Sequence, residues 1–121
     1  MTASWTVHII DDDEPCRVSL SFALQALGWR THCYAGPEDF LSRDREAREL
    51  VLSDIRMPGM DGIELARRLR QESARTRIIL MTGHADPGLV NVSILAGADR
   101  VLEKPVELAV LLAEIQRLTA D

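Results

Sequence analysis

Residues 50–54, Leu50-Val51-Leu52-Ser53-Asp54, read as a strand covered on both faces that ends on a carboxylate. Working outward, the pattern recurs. Val7-His8-Ile9-Ile10 runs into Asp11 and Asp12, Ile78-Ile79-Leu80-Met81 into Thr82, and Val101-Leu102-Glu103 into Lys104. A parallel sheet would gather these polar residues at one edge. Open α/β sheets bind ligands there, in the crevice outside the carboxyl ends of the strands.

Five apolar runs, at 6–10, 30–34, 50–53, 78–82 and 100–103, alternate with helix-period segments. Alternation of that kind predicts repeated βα units and one five-stranded parallel sheet with helices on both faces. Right-handed crossovers give a doubly wound, flavodoxin-like order, with the more polar runs 30–34 and 100–103 at the edges. The first helix is expected to open near Pro15, to carry Leu20, Leu24 and Leu27 on one face and to stop at Gly28. The second opens around Gly36-Pro37-Glu38 and turns Phe40 and Leu41 inward. The third begins at Asp61 or Gly62, with Leu65, Ala66 and Leu69 inside and Arg67, Arg68 and Arg70 in solvent. A fourth runs from Pro87 and Gly88 through Leu89, Val92 and Leu95 to Gly97. In the fifth, Leu108, Leu111, Leu112, Ile115 and Leu118 form one stripe.

A chain of 121 residues fits one domain, residues 1–121, and can bury roughly two-thirds of its unfolded surface without a disulfide or structural metal. Cys16 and Cys33 have no CxxC partner and are expected to be reduced core or boundary thiols. A net charge of −5 argues against direct nucleic-acid binding by this domain. No apolar run is long enough to span a membrane and no signal peptide opens the chain, so a cytoplasmic location is expected.

The chemistry follows from the residue types. Asp13 and Glu14 read as solvated carboxylates at a helix start. Asp11 and Asp12 are delivered straight to the crevice, where adjacent carboxylates repel each other unless a cation sits between them. A hard ion such as Mg²⁺, with Mn²⁺ as a substitute, suits one or two carboxylates together with phosphate oxygens. Asp54 on its rigid strand can act as a nucleophile on phosphorus. Lys104 supplies positive charge and Thr82 one hydroxyl hydrogen bond to the phosphoryl oxygens.

The stretches Val7-His8-Ile9-Ile10-Asp11-Asp12-Asp13-Glu14-Pro15, Leu52-Ser53-Asp54-Ile55-Arg56-Met57-Pro58-Gly59-Met60-Asp61-Gly62, Met81-Thr82-Gly83-His84 and Glu103-Lys104-Pro105 resemble the receiver domain of bacterial two-component response regulators. The wording around them is most similar to the FixJ-type subgroup. That resemblance implies Asp54 as phosphoacceptor, Asp11 and Asp12 as Mg²⁺ ligands with the Arg56 backbone carbonyl, and a cis Lys104-Pro105 bond. It also implies a histidine kinase as phosphodonor and self-catalysed phosphotransfer and dephosphorylation rather than turnover of a substrate. Arg56 and His84 lie beside the site, either tuning the phosphoryl lifetime or simply solvated.

Relatives usually carry a C-terminal DNA-binding domain and control transcription; many dimerise through the face of the fourth helix and fifth strand. An excised receiver and a stand-alone regulator that acts on a partner protein both remain open. The family usually has an aromatic residue where Val101 stands, so signalling is expected instead through the 83–88 loop and the helix after it. Two other classes compete. Asp11-Asp12-Asp13 has the D-x-D spacing of haloacid-dehalogenase-like phosphatases, but Glu14-Pro15 follows and a cap domain has no room. A flavin carrier would need a Ser/Thr/Gly-rich phosphate loop where three acidic residues stand.

Overall fold

The computed structural model describes residues 5–120. Five strands alternate with five helices: β1 (Thr6–Ile10), α1 (Glu14–Ala26), β2 (Arg30–Tyr34), α2 (Pro37–Leu41), β3 (Glu49–Asp54), α3 (Gly62–Glu72), β4 (Arg77–Thr82), α4 (Pro87–Ala96), β5 (Arg100–Glu103) and α5 (Leu108–Thr119). The strands form one sheet in the order β2-β1-β3-β4-β5, and every pairing is parallel. This is the doubly wound, flavodoxin-like architecture that the sequence implies. β1 and β3 are buried along their whole length, as strands that read as continuous apolar runs should be. The more polar β2 and β5 are the edges.

Side-chain alternation divides the core. Val7, Ile9, Leu50, Leu52, Ile79 and Met81 face α1 and α5, meeting Leu24, Leu111 and Ile115. Ile10, Val51, Ile78 and Leu80 face the other way, against Phe40, Leu65, Leu69 and Ala96 of α2, α3 and α4. Each fully buried Leu or Ile is worth roughly 1.5–3 kcal/mol. That pins the register, because a slip of one residue would turn every core side chain to the wrong face.

Register then sets the crevice. Ile10 pairs with Ser53, Asp54 with Met81 and Thr82 with Glu103, so Asp11, Asp54, Thr82 and Lys104 arrive at one level. The start of α3 is pulled against the end of β3: the Gly62 N–H donates to the Ile55 carbonyl at 2.8 Å. A Cβ on Gly62 would lie 2.3 Å from the Asp54 carbonyl oxygen, so only glycine permits the approach. The Asp61 and Asp86 carboxylates cap α3 and α4 by accepting from the Glu64 and Leu89 N–H groups.

Four expectations need correcting. Leu27 ends α1 as its C-cap and is 52 % exposed, because Gly28, at φ 94°, turns the chain before Leu27 reaches the core. Both cysteines are exposed rather than in the core, Cys16 in the first turn of α1 and Cys33 on the edge strand. Arg70 is only partly exposed. Its guanidinium donates to the carbonyls of Ser73, Ala74, Thr76 and Gly97 and meets Asp99 at 3.3 Å, so it ties the ends of α3 and α4 to the start of β4. Leu108 lies on the stripe of α5 but, as the first residue of the helix, stays 39 % exposed.

Candidate functional site

β1, β3, β4 and the end of β5 each bring one group to the crevice. Asp11, 2 % exposed, follows β1; Asp54, 7 % exposed, ends β3; Thr82, 3 % exposed, ends β4. Lys104 follows β5, its backbone N–H held by the Thr82 carbonyl at 2.7 Å, and its bond to Pro105 is cis. The Lys104 Nζ stands 2.5 Å from Asp54 Oδ1 and 3.6 Å from Asp11 Oδ2. Asp54, Arg56, Met81, Thr82, Gly83 and Lys104 line a cleft of about 90 Å³. Room for about three waters at their liquid volume is also the scale of a phosphoryl group.

The electrostatics follow the geometry. Burial raises the Asp54 carboxyl to about 6, with Asp11 beside it adding to the rise and Lys104 opposing it. Burial alone would lower Lys104, but the Asp54 and Asp11 carboxylates outweigh it and hold the ammonium above its ordinary value. One ammonium faces three carboxylates. Asp11, Asp12 and Asp54 each offer an oxygen, all within 4.8 Å of one another, so the donor set fits a hard divalent cation. Asp12 is exposed, which leaves a solvent side for the waters such an ion keeps.

The remaining residues fall into two groups. Arg56 lines the cleft, whereas His84 is exposed and reaches the site through its backbone, its N–H donating to Thr82 Oγ1 at 3.3 Å. Val101 is half-buried in β5 opposite Leu80 and packs on the α3/α4 side of the core. Pro105 lines a neighbouring groove with Lys104. Asp13 caps α1 without a side-chain bond to the helix; its carboxylate accepts from the Cys16 thiol at 3.1 Å instead, and that bond raises the thiol's pKa.

Two supporting residues had no signal in the sequence. Arg17 Nη1 donates to the Asp11 carbonyl at 2.6 Å, a link that depends on the turn between β1 and α1 rather than on helical spacing. Glu103 Oε2 accepts from the Ala85 N–H at 3.3 Å and so holds the β4–α4 loop against β5.

The family model described as the response regulator receiver domain matches residues 7–116. The transcriptional regulatory protein FixJ of Rhizobium meliloti is 40 % identical over 114 residues, covering 93 % of this chain and 56 % of that protein. Among solved structures, the crystal structure of FixJ-N superposes with a TM-score of 0.85 at 36 % identity, covering 96 % of this chain and 94 % of that one. The BeF3-activated DrrB receiver domain gives 0.85 at 33 % identity, covering 94 % and 96 %. The chain spans little more than half the length of the curated relatives it matches.

Proposed function

The chain belongs to the response regulator receiver domain family, and we propose that Asp54 is its phosphoacceptor, taking a phosphoryl group from the phosphohistidine of a histidine kinase. One observation carries this reading: a buried carboxylate at the end of β3 with the Lys104 ammonium 2.5 Å away and a phosphoryl-sized cleft in front of it.

Asp11, Asp12 and Asp54, with the Arg56 carbonyl, would hold Mg²⁺ or Mn²⁺. Bound there, the ion supplies positive charge to the phosphoryl oxygens. The chain's own residues do the rest. An Asp54 oxygen attacks phosphorus in line, the P–O bond forms as the donor's P–N bond breaks, and the imidazole leaves with the electron pair. Lys104 turns its ammonium from Asp54 to the incoming oxygens. Thr82 then donates a hydrogen bond from its hydroxyl to a phosphoryl oxygen, giving up the contact its oxygen accepts from the His84 N–H.

Arg56, which lines the cleft, and the exposed His84 next to Gly83 are the side chains that would set how easily water reaches the phosphoaspartate. The domain is therefore a switch that catalyses its own phosphorylation and dephosphorylation rather than an enzyme with turnover.

The output follows from movement of the β4–α4 loop. Val92, Ile94 and Leu95 on α4 are exposed, an apolar face available to a second copy of the domain or to an output domain. The FixJ relative is named a transcriptional regulatory protein. By analogy, a C-terminal DNA-binding domain outside these 121 residues would carry the response, in the cytoplasm. Among the described residues no helix is long and apolar enough to cross a membrane. Amide exchange with beryllofluoride and Mg²⁺ tests the switch: exchange is expected to change across 83–105, and an unchanged profile there would sink it.

A further inference from the structure

At the opposite end of the sheet from the phosphoacceptor cleft, where β3 and β4 begin, Trp5, Ala47, Arg48, Arg75 and Arg77 line a hollow of about 290 Å³. Three guanidinium groups share it, and no carboxylate among the described residues lines it. The chain as a whole carries a net charge of −5, so this concentration of positive charge runs against its composition.

The backbone beneath the three arginines is fixed. The Arg48 carbonyl accepts the Thr6 N–H at 3.0 Å, and the Arg48 guanidinium lies 5.9 Å from the centre of the Trp5 ring. The Arg75 N–H donates to Ser73 Oγ at 3.1 Å, while Arg70 Nη1 donates to the Ser73, Ala74 and Thr76 carbonyls on either side of it. Arg77 opens β4, and its Nε donates to the Leu118 carbonyl at 3.0 Å. Among the described residues neither Arg75 nor Arg77 forms an ion pair. Their charge is held in place and left without a counter-charge from those residues.

Trp5 supplies a second, independent observation. It is 5 % exposed and packs in the core on the α5 side, yet its buried indole N–H has no acceptor. An indole nitrogen can only donate, and buried donors are almost always paired. The wall of the hollow thus lacks an acceptor atom where its rim supplies positive charge. An anionic oxygen meets both needs.

We propose that this hollow binds a small phosphomonoester, its phosphate gripped by Arg75 and Arg77 with Arg48 as the third charge, and one oxygen accepting the Trp5 indole N–H. The planar guanidinium fork matches phosphate oxygens in pairs, which a point charge cannot do. A phosphoryl group fits a cleft of about 90 Å³, so this larger hollow leaves room for an organic body. A ligand here would touch the start of β4, whose far end is Thr82, and through Arg77 the last turn of α5.

The test is titration of glycerol 2-phosphate by calorimetry in EDTA, with the indole N–H signals of Trp5 and Trp29 followed by NMR. One equivalent is expected to bind and to move the Trp5 signal, while Trp29, which does not line the hollow, stays in place. Arg75→Gln changes an exposed side chain and so keeps the fold; it should weaken binding by about fivefold or more, the worth of one charge-assisted hydrogen bond. Lys104→Gln should leave the affinity unchanged. No binding, an unmoved Trp5 signal or equal affinity in Arg75→Gln would overturn the site. So would loss of binding in Lys104→Gln, which would put the phosphate in the phosphoacceptor cleft. Inorganic phosphate is expected to bind more weakly than the ester, and equal or tighter binding would overturn the phosphomonoester assignment. None of these readings depends on phosphorylation of Asp54.

Discussion

Asp54 binds a proton more tightly folded than unfolded, with a pKa raised from 3.8 to about 6. Between those values the folded state holds more protons, so this residue's contribution to stability falls as pH rises through the window and then stays unfavourable above it. Without divalent metal, Asp54→Asn is therefore expected to be more stable than wild type at pH 8 by about 1–2 kcal/mol. That is less than the full shift implies, because Lys104 loses its partner. The gain should vanish below about pH 4. Urea denaturation at the two pH values in EDTA checks this, and equal stability at pH 8 would contradict it. Added Mg²⁺ should stabilise wild type by mass action and the variant far less.

Thr82 gives a second residue-scale prediction. Thr82→Ala should slow phosphorylation by small-molecule donors by about 2–10-fold, the worth of one hydrogen bond of roughly 0.5–1.5 kcal/mol, while Thr82→Ser keeps most of the rate. Asp11, Asp12, Asp54, Thr82 and Lys104 were all legible in the sequence, because each follows or ends a strand and strand ends can be read from apolar runs. The contacts of Arg17 and Glu103 were not. Their contacts join elements whose relative placement no local pattern encodes.

At the scale of elements, the junction of β3 with α3 is the tightest point near the site. Gly62→Ala would press a methyl group against the Asp54 carbonyl, so it should destabilise the domain by about 1–3 kcal/mol and lower phosphorylation together. Normal melting and normal phosphorylation would show that the junction has slack. Arg70 clamps the far end of α4 through the Gly97 carbonyl and Asp99. Arg70→Ala should cost about 1–3 kcal/mol and speed amide exchange at 94–99, and Arg70→Lys should not rescue it, since one ammonium cannot span carbonyls from three elements. Unchanged exchange would leave α4 anchored elsewhere.

The helical spacing of Arg67, Arg68 and Arg70 marked a polar face but could not show that one of the three reaches inward. α4 was legible as a helix but not in orientation. Apolar residues surround it, so periodicity favours no face, and Ser93 and Ala96 turn inward while Val92 and Leu95 face solvent.

For the whole molecule, five apolar runs of even spacing left little freedom. Parallel strands need crossovers, crossovers are right-handed, and the two most polar runs go to the edges. The architecture exists to bring the ends of β1, β3, β4 and β5 to one crevice. In that crevice Asp54 is set to accept a phosphoryl group. Intact-mass spectrometry after incubation with acetyl phosphate, with and without Mg²⁺, on wild type and Asp54→Ala reads this out. One phosphoryl mass is expected on wild type, dependent on Mg²⁺ and absent from Asp54→Ala. No phosphoryl adduct on wild type, or an equal adduct on the variant, would contradict it.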